Sequence, residues 1–463
     1  MPQTVSVSTE PPKREPASAR DTIVALATPP GRGGIAVVRV SGPGTVDIAT
    51  SLIGRLPPPR VATLAEFHDE GDEALDSGLA LYFPAPNSYT GEDVLELHGH
   101  GGAVVVDLLL RRILALGARM ARPGEFSERA FLNGKMDLLQ AEAVADLIDS
   151  ASETAARSAL RSLSGRFSDE LHRIAEGLVA ARAYVEAALD FPEEEVDYLA
   201  DEALDARLRA LADDLERLVA DTRQATLLRD GARVALVGPP NAGKSSLLNS
   251  LAQTNRAIVS PVPGTTRDTI ELTIQIDGLP VHLVDTAGLR EAGEEIEQEG
   301  MRRARQAMRE ADIAVLVVED GSSPALDAYL AEIPHDVRAV VAWNKIDLTG
   351  SPPAADPTST PAQLKLSVKT GAGLPQLKEF LKSAVGFQAA GESPYIARRR
   401  HLQAIDDARR HFQAAQEAIR ARRSGELIAE DLRLAQRRLG EITGEVTTED
   451  LLGRIFSEFC IGK

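Results

Sequence analysis

Apolar and polar positions follow three different rhythms along this chain. Between residues 21 and 120, β-branched runs such as Ile35-Ala-Val-Val-Arg-Val40 and Val94-Leu-Glu-Leu97 are separated by turns such as Pro29-Pro-Gly-Arg-Gly-Gly34. Such runs bounded by Gly and Pro read as strands, and Ala103–Leu116 carries a helical apolar face, so this stretch is expected to be α+β. From about Met136 to Leu228 the rhythm is helical. Leu204, Leu208, Leu211, Leu215 and Leu218 are spaced 4, 3, 4, 3, which draws one stripe along a helix and suits packing in a bundle.

Residues 231–387 alternate short apolar strands with helical segments, the pattern of a mostly parallel sheet. One departure is Thr269–Ile276, which alternates, followed by Asp277-Gly278 and a strand ending at Asp285; this predicts an antiparallel hairpin. Residues 395–459 return to helix, with Leu402, Ile405, Phe412 and Ile419, then Leu439, Ile442, Leu452, Ile455 and Phe459. Helical texture on both sides of a compact α/β unit predicts a helical domain with that unit inserted. The expected organisation is a tail (1–20), an α+β domain (21–135), an all-α domain in two parts (136–230 and 388–463) and an inserted α/β domain (231–387).

Composition narrows the picture only slightly. A hydrophobic content of 43% and a charged content of 26% are ordinary for globular chains, and no apolar run approaches bilayer length. Cys460 is the only cysteine, which forbids an intramolecular disulfide and fits a reducing cytoplasm. The first 20 residues, rich in Pro, Ser and mixed charge, lack an apolar signal segment and read as a disordered tail. The net charge of −18 works against a broad nucleic-acid-binding surface. Residues 398–423 are a local exception, with eight arginines against Asp406, Asp407 and Glu417; a solvated helix face and an RNA contact both remain open there.

The chemistry concentrates in short segments that punctuate the α/β part. Gly238-Pro-Pro-Asn241-Ala242-Gly243-Lys244-Ser245-Ser246 follows an apolar strand and opens a helix with Leu247 and Leu248 on its apolar face. The spacing Gly-x4-Gly-Lys-Ser is that of a phosphate-cradling loop. Glycines let successive N–H groups converge on phosphate oxygens, Lys244 supplies a point charge, and the Ser245 hydroxyl is placed for Mg²⁺. Asp285-Thr286-Ala287-Gly288 closes a strand, as expected of a carboxylate that reaches Mg²⁺ through water and a glycine N–H near a γ-phosphate. Asn344-Lys345-Ile346-Asp347 follows a further strand, and an aspartate there can accept the two N–H groups of the guanine edge that adenine lacks. Ser367-Val368-Lys369 stands where such a domain backs the base. These segments point to GTP.

Between the loop and the hairpin lies Ser260-Pro261-Val262-Pro263-Gly264-Thr265-Thr266, whose hydroxyls could close over phosphates and serve Mg²⁺. After Gly288, many small GTPases place a water-orienting Gln. Leu289 stands there instead, so either turnover is slow or another group handles the water, with Glu291, Glu294, Glu295, Glu297 and Glu299 following.

Asn-Ala-Gly-Lys-Ser-Ser, Gly-Thr-Thr-Arg-Asp and Asp-Thr-Ala-Gly-Leu-Arg together resemble the MnmE (TrmE) family of bacterial tRNA-modification GTPases. The resemblance continues in Thr28–Gly34, Asn87–Leu97, Arg122–Asn133 and the tail Phe459-Cys-Ile-Gly-Lys463, so it spans roughly residues 21–463. It implies that Asn241, Ser260, Val262 and Thr265 hold K⁺, that Ser245 and Thr266 hold Mg²⁺, and that Glu297 activates water beside the catalytic Lys244. It further implies an N-terminal domain like folate-dependent aminomethyltransferases that dimerises. Arg39, Glu96, Lys135 and Lys463 would contact a reduced folate (5-formyl- or methylene-tetrahydrofolate), with Cys460 nearby in sequence. The implied partners are a second copy of the chain, an MnmG (GidA) flavoprotein and, through that complex, tRNA. The implied activity adds an aminomethyl-type group at carbon 5 of the wobble uridine. A regulatory GTP switch for ribosome assembly or stress signalling is the alternative, and it leaves the N-terminal motifs and the tail unexplained.

Overall fold

A computed structural model describes residues 21–150, 152–190, 202–254, 271–285, 306, 308–321, 326–335, 337–388, 395–421, 424–457, 459 and 462. Its contacts divide the chain into two compact units, residues 1–145 with 447–463 and residues 146–446.

The first unit is α+β. Strands β1 (Ile23–Leu26), β2 (Gly33–Ser41), β3 (Thr63–His68), β4 (Ala74–Phe83), β5 (Val94–Gly101) and β6 (Arg119–Met120) form one sheet in the order β3-β4-β5-β2-β1-β6. Neighbours pair antiparallel except β1 with β6. Helices α1 (Thr45–Ile53) and α2 (Ala103–Ala115) cover one face, burying Val38, Val40, Leu95 and Leu97 against Ile48, Leu52, Leu109 and Ile113. Because successive strand residues point to opposite faces, Arg39 on β2 and Glu96 on β5 emerge on the other side. Helices α3 (Glu125–Leu132) and α4 (Leu138–Ile148) follow. The last helix, Glu449–Ser457, packs here too: its Ile455 and Phe456, with Phe459 beyond it, bury against Leu138 and Ala141. Division by contact therefore assigns residues 447–463 to this unit, whereas helical texture alone groups them with the other helices.

The second unit combines a helical bundle with a seven-stranded sheet. Helices α5 (Glu153–Leu163), α6 (Arg166–Asp190) and α7 (Glu202–Asp230) precede the sheet. The sheet and its connections contain β7 (Ala232–Val237), α8 (Lys244–Thr254), β8 (Glu271–Ile276), β9 (Leu279–Asp285), β10 (Ile313–Glu319) and α9 (Leu326–Ala331). They continue with β11 (Arg338–Asn344), α10 (Ile346–Thr349), β12 (Ala354–Asp356), β13 (Ala362–Lys365) and α11 (Leu374–Ala384). The strand order is β12-β13-β11-β10-β7-β9-β8, parallel except at the two edges. Both faces are covered, which explains the unbroken apolar runs. Ile313, Val315 and Val317 join one core with Leu247 and Leu377, while Ala314, Leu316 and Val318 join another with Met308 and Ile333. The expected hairpin is present as β8 with β9, its Asp277-Gly278 turn at φ 49° and 92°.

Helices α12 (Arg399–Arg420) and α13 (Gly425–Thr443) return to the bundle, where α12 packs on α7 and α13, and α13 on α6. All five leucines of the 4, 3, 4, 3 stripe on α7 are buried. Among the described residues no helix is long and apolar enough to cross a membrane.

Candidate functional site

Three of the nucleotide segments, at residues 238–246, 344–347 and 367–369, meet at the ends of parallel strands. Buried β7 delivers the chain to the loop, and α8 starts at Lys244. Asn241 adopts a left-handed φ of 60° and is exposed, as are Ser245 and Ser246, while Ala242 is buried. Gly243 has φ 101°, and a Cβ there would collide with the Asn344 amide nitrogen, so the loop turns on a residue that only glycine satisfies. Lys244, 5% exposed, donates from Nζ to the carbonyls of Gly238 (2.9 Å) and Pro239 (2.7 Å) and so lies across the loop.

Buried Asn344 ties this loop to the base-side segment. Its Nδ2 donates to Ala242 O at 2.9 Å, and its Oδ1 accepts from the Val368 amide at 3.1 Å. Lys345, at φ 67°, pairs with Glu319 at 2.8 Å, and Ile346 is buried. Ser367 donates its hydroxyl to Asp347 Oδ1 at 2.6 Å, and Oδ2 has no partner among the described residues. Asp347 and Lys369 are exposed. An exposed carboxylate oriented by a buried serine suits a pair of convergent N–H donors.

Other expected residues lie outside the description. Ser260, Pro261, Val262, Pro263, Gly264, Thr265, Thr266, Thr286, Ala287, Gly288, Glu297, Cys460 and Lys463 are outside the described residues, as is the Asp285 side chain, although its backbone ends β9. The oxygen donors that are described, on Asn241 and Ser245, have the hard-ligand chemistry that K⁺ and Mg²⁺ favour.

In the first unit, Arg39 and Glu96 are direct cross-strand partners. The Arg39 guanidinium donates to Glu96 Oε1 from Nε at 2.9 Å and from the terminal nitrogen at 2.8 Å, and His98 Nε2 lies 3.3 Å from Glu96 Oε2. The Tyr89 and Phe126 rings flank the same guanidinium, with centroids 5.2 Å and 5.8 Å away. These aromatics belong to the motifs around Asn87 and Arg122, but no strand or helix period flags them, since one precedes β5 in a turn and the other begins α3.

A charge network braces the segments that carry them. Arg129 pairs with Glu92 at 2.9 Å and Glu125 at 3.2 Å, and Ser41 donates to Glu92 at 2.8 Å. Glu125 is 1% exposed. Burial raises its pKa, but hydrogen bonds from Arg119 and the Arg122 amide, with the charges of Arg119 and Arg129, bring it down to about 2. Exposed Lys135 leans its methylenes on Gly91, next to the Asn133-to-Thr90 hydrogen bond of 2.7 Å, and no hydrogen bond or ion pair joins it to Arg39 or Glu96. In the tail, Gly462 has φ 96°, and a Cβ there would collide with Leu26 O. Leu26 pairs with Val38, next to Arg39, so Gly462 lies beside β1, the neighbour of the strand that carries Arg39.

Within the arginine-rich stretch four arginines make ion pairs: Arg398 with Asp146 (3.1 Å), Arg399 with Asp230 (3.5 Å), Arg409 with Asp406 (3.0 Å) and Glu216 (3.2 Å), and Arg410 with Asp407. Arg422 and Arg423 lie outside the described residues.

Comparison with known proteins agrees in both units. Residues 22–135 match the family described as GTP-binding protein TrmE N-terminus, and residues 138–460 the MnmE helical domain family. The tRNA modification GTPase MnmE of Alkalilimnicola ehrlichii is 56% identical over 445 residues, covering 96% of this chain and 100% of that protein. Its counterpart in Yersinia pseudotuberculosis is 51% identical over 453 residues, again 96% and 100%. Among solved structures, the G domain of the T. maritima FeoB iron transporter is 26% identical with a TM-score of 0.26, covering 33% of this chain and 98% of that one.

Proposed function

The chain belongs to the MnmE family of tRNA modification GTPases, and on that premise we propose that it hydrolyses GTP with K⁺ assistance and modifies wobble uridines together with a flavoprotein. The observation that carries the nucleotide part is the Asn344 side chain, which bonds both the phosphate loop and the base-side loop and so holds them in one frame. Lys244 then meets the outer phosphates, and Asp347, steadied by Ser367, takes the guanine edge. Ser245 and Thr266 would hold Mg²⁺, and Asn241, Ser260, Val262 and Thr265 would hold K⁺. When bound, the two cations offset charge on the transferring phosphoryl group. Leu289 cannot orient water, and Glu297 is our choice for that role.

Arg39, Glu96, Lys135 and Lys463 would bind a reduced folate that supplies the one-carbon unit. Support comes from the guanidinium flanked by Tyr89 and Phe126, a geometry that suits a flat anionic ligand, and from Gly462 against Leu26. The partners in this reading are a second copy of the chain, a flavoprotein of the MnmG (GidA) kind and tRNA brought by the complex, all in the cytoplasm. The net charge of −18 fits a partner that provides most of the tRNA surface.

The test is the wobble-nucleoside profile of a strain lacking this protein, where the C5-substituted uridines should disappear; an unchanged profile would sink the modification reading. GTP turnover should be much faster in K⁺ than in Na⁺ at equal ionic strength, and equal rates would remove the cation.

A further inference from the structure

Away from the nucleotide loops, a cavity of about 520 Å³ opens at the base of the seven-stranded sheet. It lies where β7, β10 and β11 begin, whereas the phosphate loop follows the opposite end of β7. Arg233, Arg309, Arg338 and Arg399 line it with Glu310 and Asp312. The two carboxylates are already engaged: Glu310 pairs with the Arg233 guanidinium at 3.2 Å, and Asp312 accepts the Arg233 amide at 2.8 Å. Arg399 reaches Asp230 at 3.5 Å. The guanidinium groups of Arg309 and Arg338 have no hydrogen-bond or ion-pair partner among the described residues. Four arginines against two carboxylates leave the lining an excess of two positive charges, in a chain of net charge −18, and so concentrate positive potential at one concave spot. The floor is apolar, formed by Leu227, Val337 and Val385.

We propose that this cavity binds a small phosphate-bearing anion, with its phosphate between Arg309 and Arg338, Arg399 alongside, and any uncharged body over the apolar floor. Guanidinium forks donate two N–H groups at once to phosphate oxygens, a match that isolated surface ion pairs do not reproduce. A cavity of this volume falls within the size range of small-ligand sites. Arg233 is the second residue of β7, which ends at the phosphate loop, and Arg399 opens α12, so an occupant braces the base of the sheet against the start of that helix within one compact unit. The site does not depend on the GTPase reading.

Since the phosphate loop also attracts phosphates, the test must separate the two. Full-length protein is titrated calorimetrically with CDP and with inorganic pyrophosphate, neither of which presents a guanine edge. The titrations are repeated on Lys244→Ala and on the double variant Arg309→Ala/Arg338→Ala. Binding should persist in Lys244→Ala and weaken at least tenfold in the double variant, whose GTP affinity should be unchanged. A preference for CDP would assign an organic phosphate that uses the apolar floor; a preference for pyrophosphate would assign a free oxyanion. Binding that is lost in Lys244→Ala and kept in the double variant would overturn the proposal, as would the absence of binding heat for both probes at millimolar concentration.

Discussion

The two sheets of this protein position functional groups in opposite ways. In the seven-stranded sheet the strands are apolar on both faces, and the candidate groups Lys244, Asn344 and Asp347 stand at strand ends and helix starts. In the six-stranded sheet one face is covered by helices, and the other carries its candidate groups on the strands, with Arg39 opposite Glu96. The first arrangement uses contiguous segments, in which spacing along the chain sets geometry. The second uses pairing register, so residues 57 apart in sequence become neighbours. Substitutions should therefore act differently in the two units.

The largest effect is expected from Asp347→Asn. It removes the acceptor pair for the guanine edge and leaves donors unmatched, which corresponds to about 2–3 kcal/mol, or roughly 100-fold in GTP affinity. Fluorescent-nucleotide binding should show the loss together with improved binding of xanthosine triphosphate, whose edge offers the carbonyl an amide can meet. Unchanged guanine preference would mean that base recognition lies elsewhere. Next comes Arg39→Ala, which leaves Glu96 without its partner and removes the guanidinium between Tyr89 and Phe126. We expect at least tenfold weaker binding of 5-formyl-tetrahydrofolate with GTP turnover intact, read by calorimetry and phosphate release. Loss of both activities would erase the separation between the units.

Gly462→Ala should have a smaller effect, since the added Cβ meets Leu26 O and only the tail has to move. Folate affinity should fall a few-fold without a change in melting temperature, and an unaltered affinity would detach the tail from the site. The smallest effect concerns acid. The pKa of Glu125 is lowered from 4.5 to about 2 in the folded state, so its contribution to stability is present above pH 4.5 and is lost as pH falls towards 2. Glu125→Gln should flatten that part of the melting-temperature profile, and a profile of unchanged slope would show that the Arg119–Glu125–Arg129 network is not what acid disrupts.

Much of the α/β part was legible because its signals are local. Lys244, Asn344 and Asp347 sit in strand–loop–helix segments of fixed spacing, and Asn344 bonds the backbone of two of those segments. The hairpin at Asp277-Gly278 and the leucine stripe on α7 were legible for the same reason, since each is a period or a turn written in consecutive residues. The flanking of Arg39 by Tyr89 and Phe126 was not, because a turn and a helix start reach that face only after the sheet has formed. Nor was the arginine cavity, whose four cations come from separate elements.

By itself, then, the sequence determined which elements form, which face of each is apolar, and the nucleotide segments, because propensity, periodicity and loop spacing act over a few residues. Only the tertiary structure decided that the last helix packs with the first unit, that Gly462 lies against β1, and that Arg398, Arg399, Arg409 and Arg410 each meet a carboxylate of their own unit. Those outcomes depend on which buried surfaces and which opposite charges meet across long stretches of chain, a competition in which every element takes part.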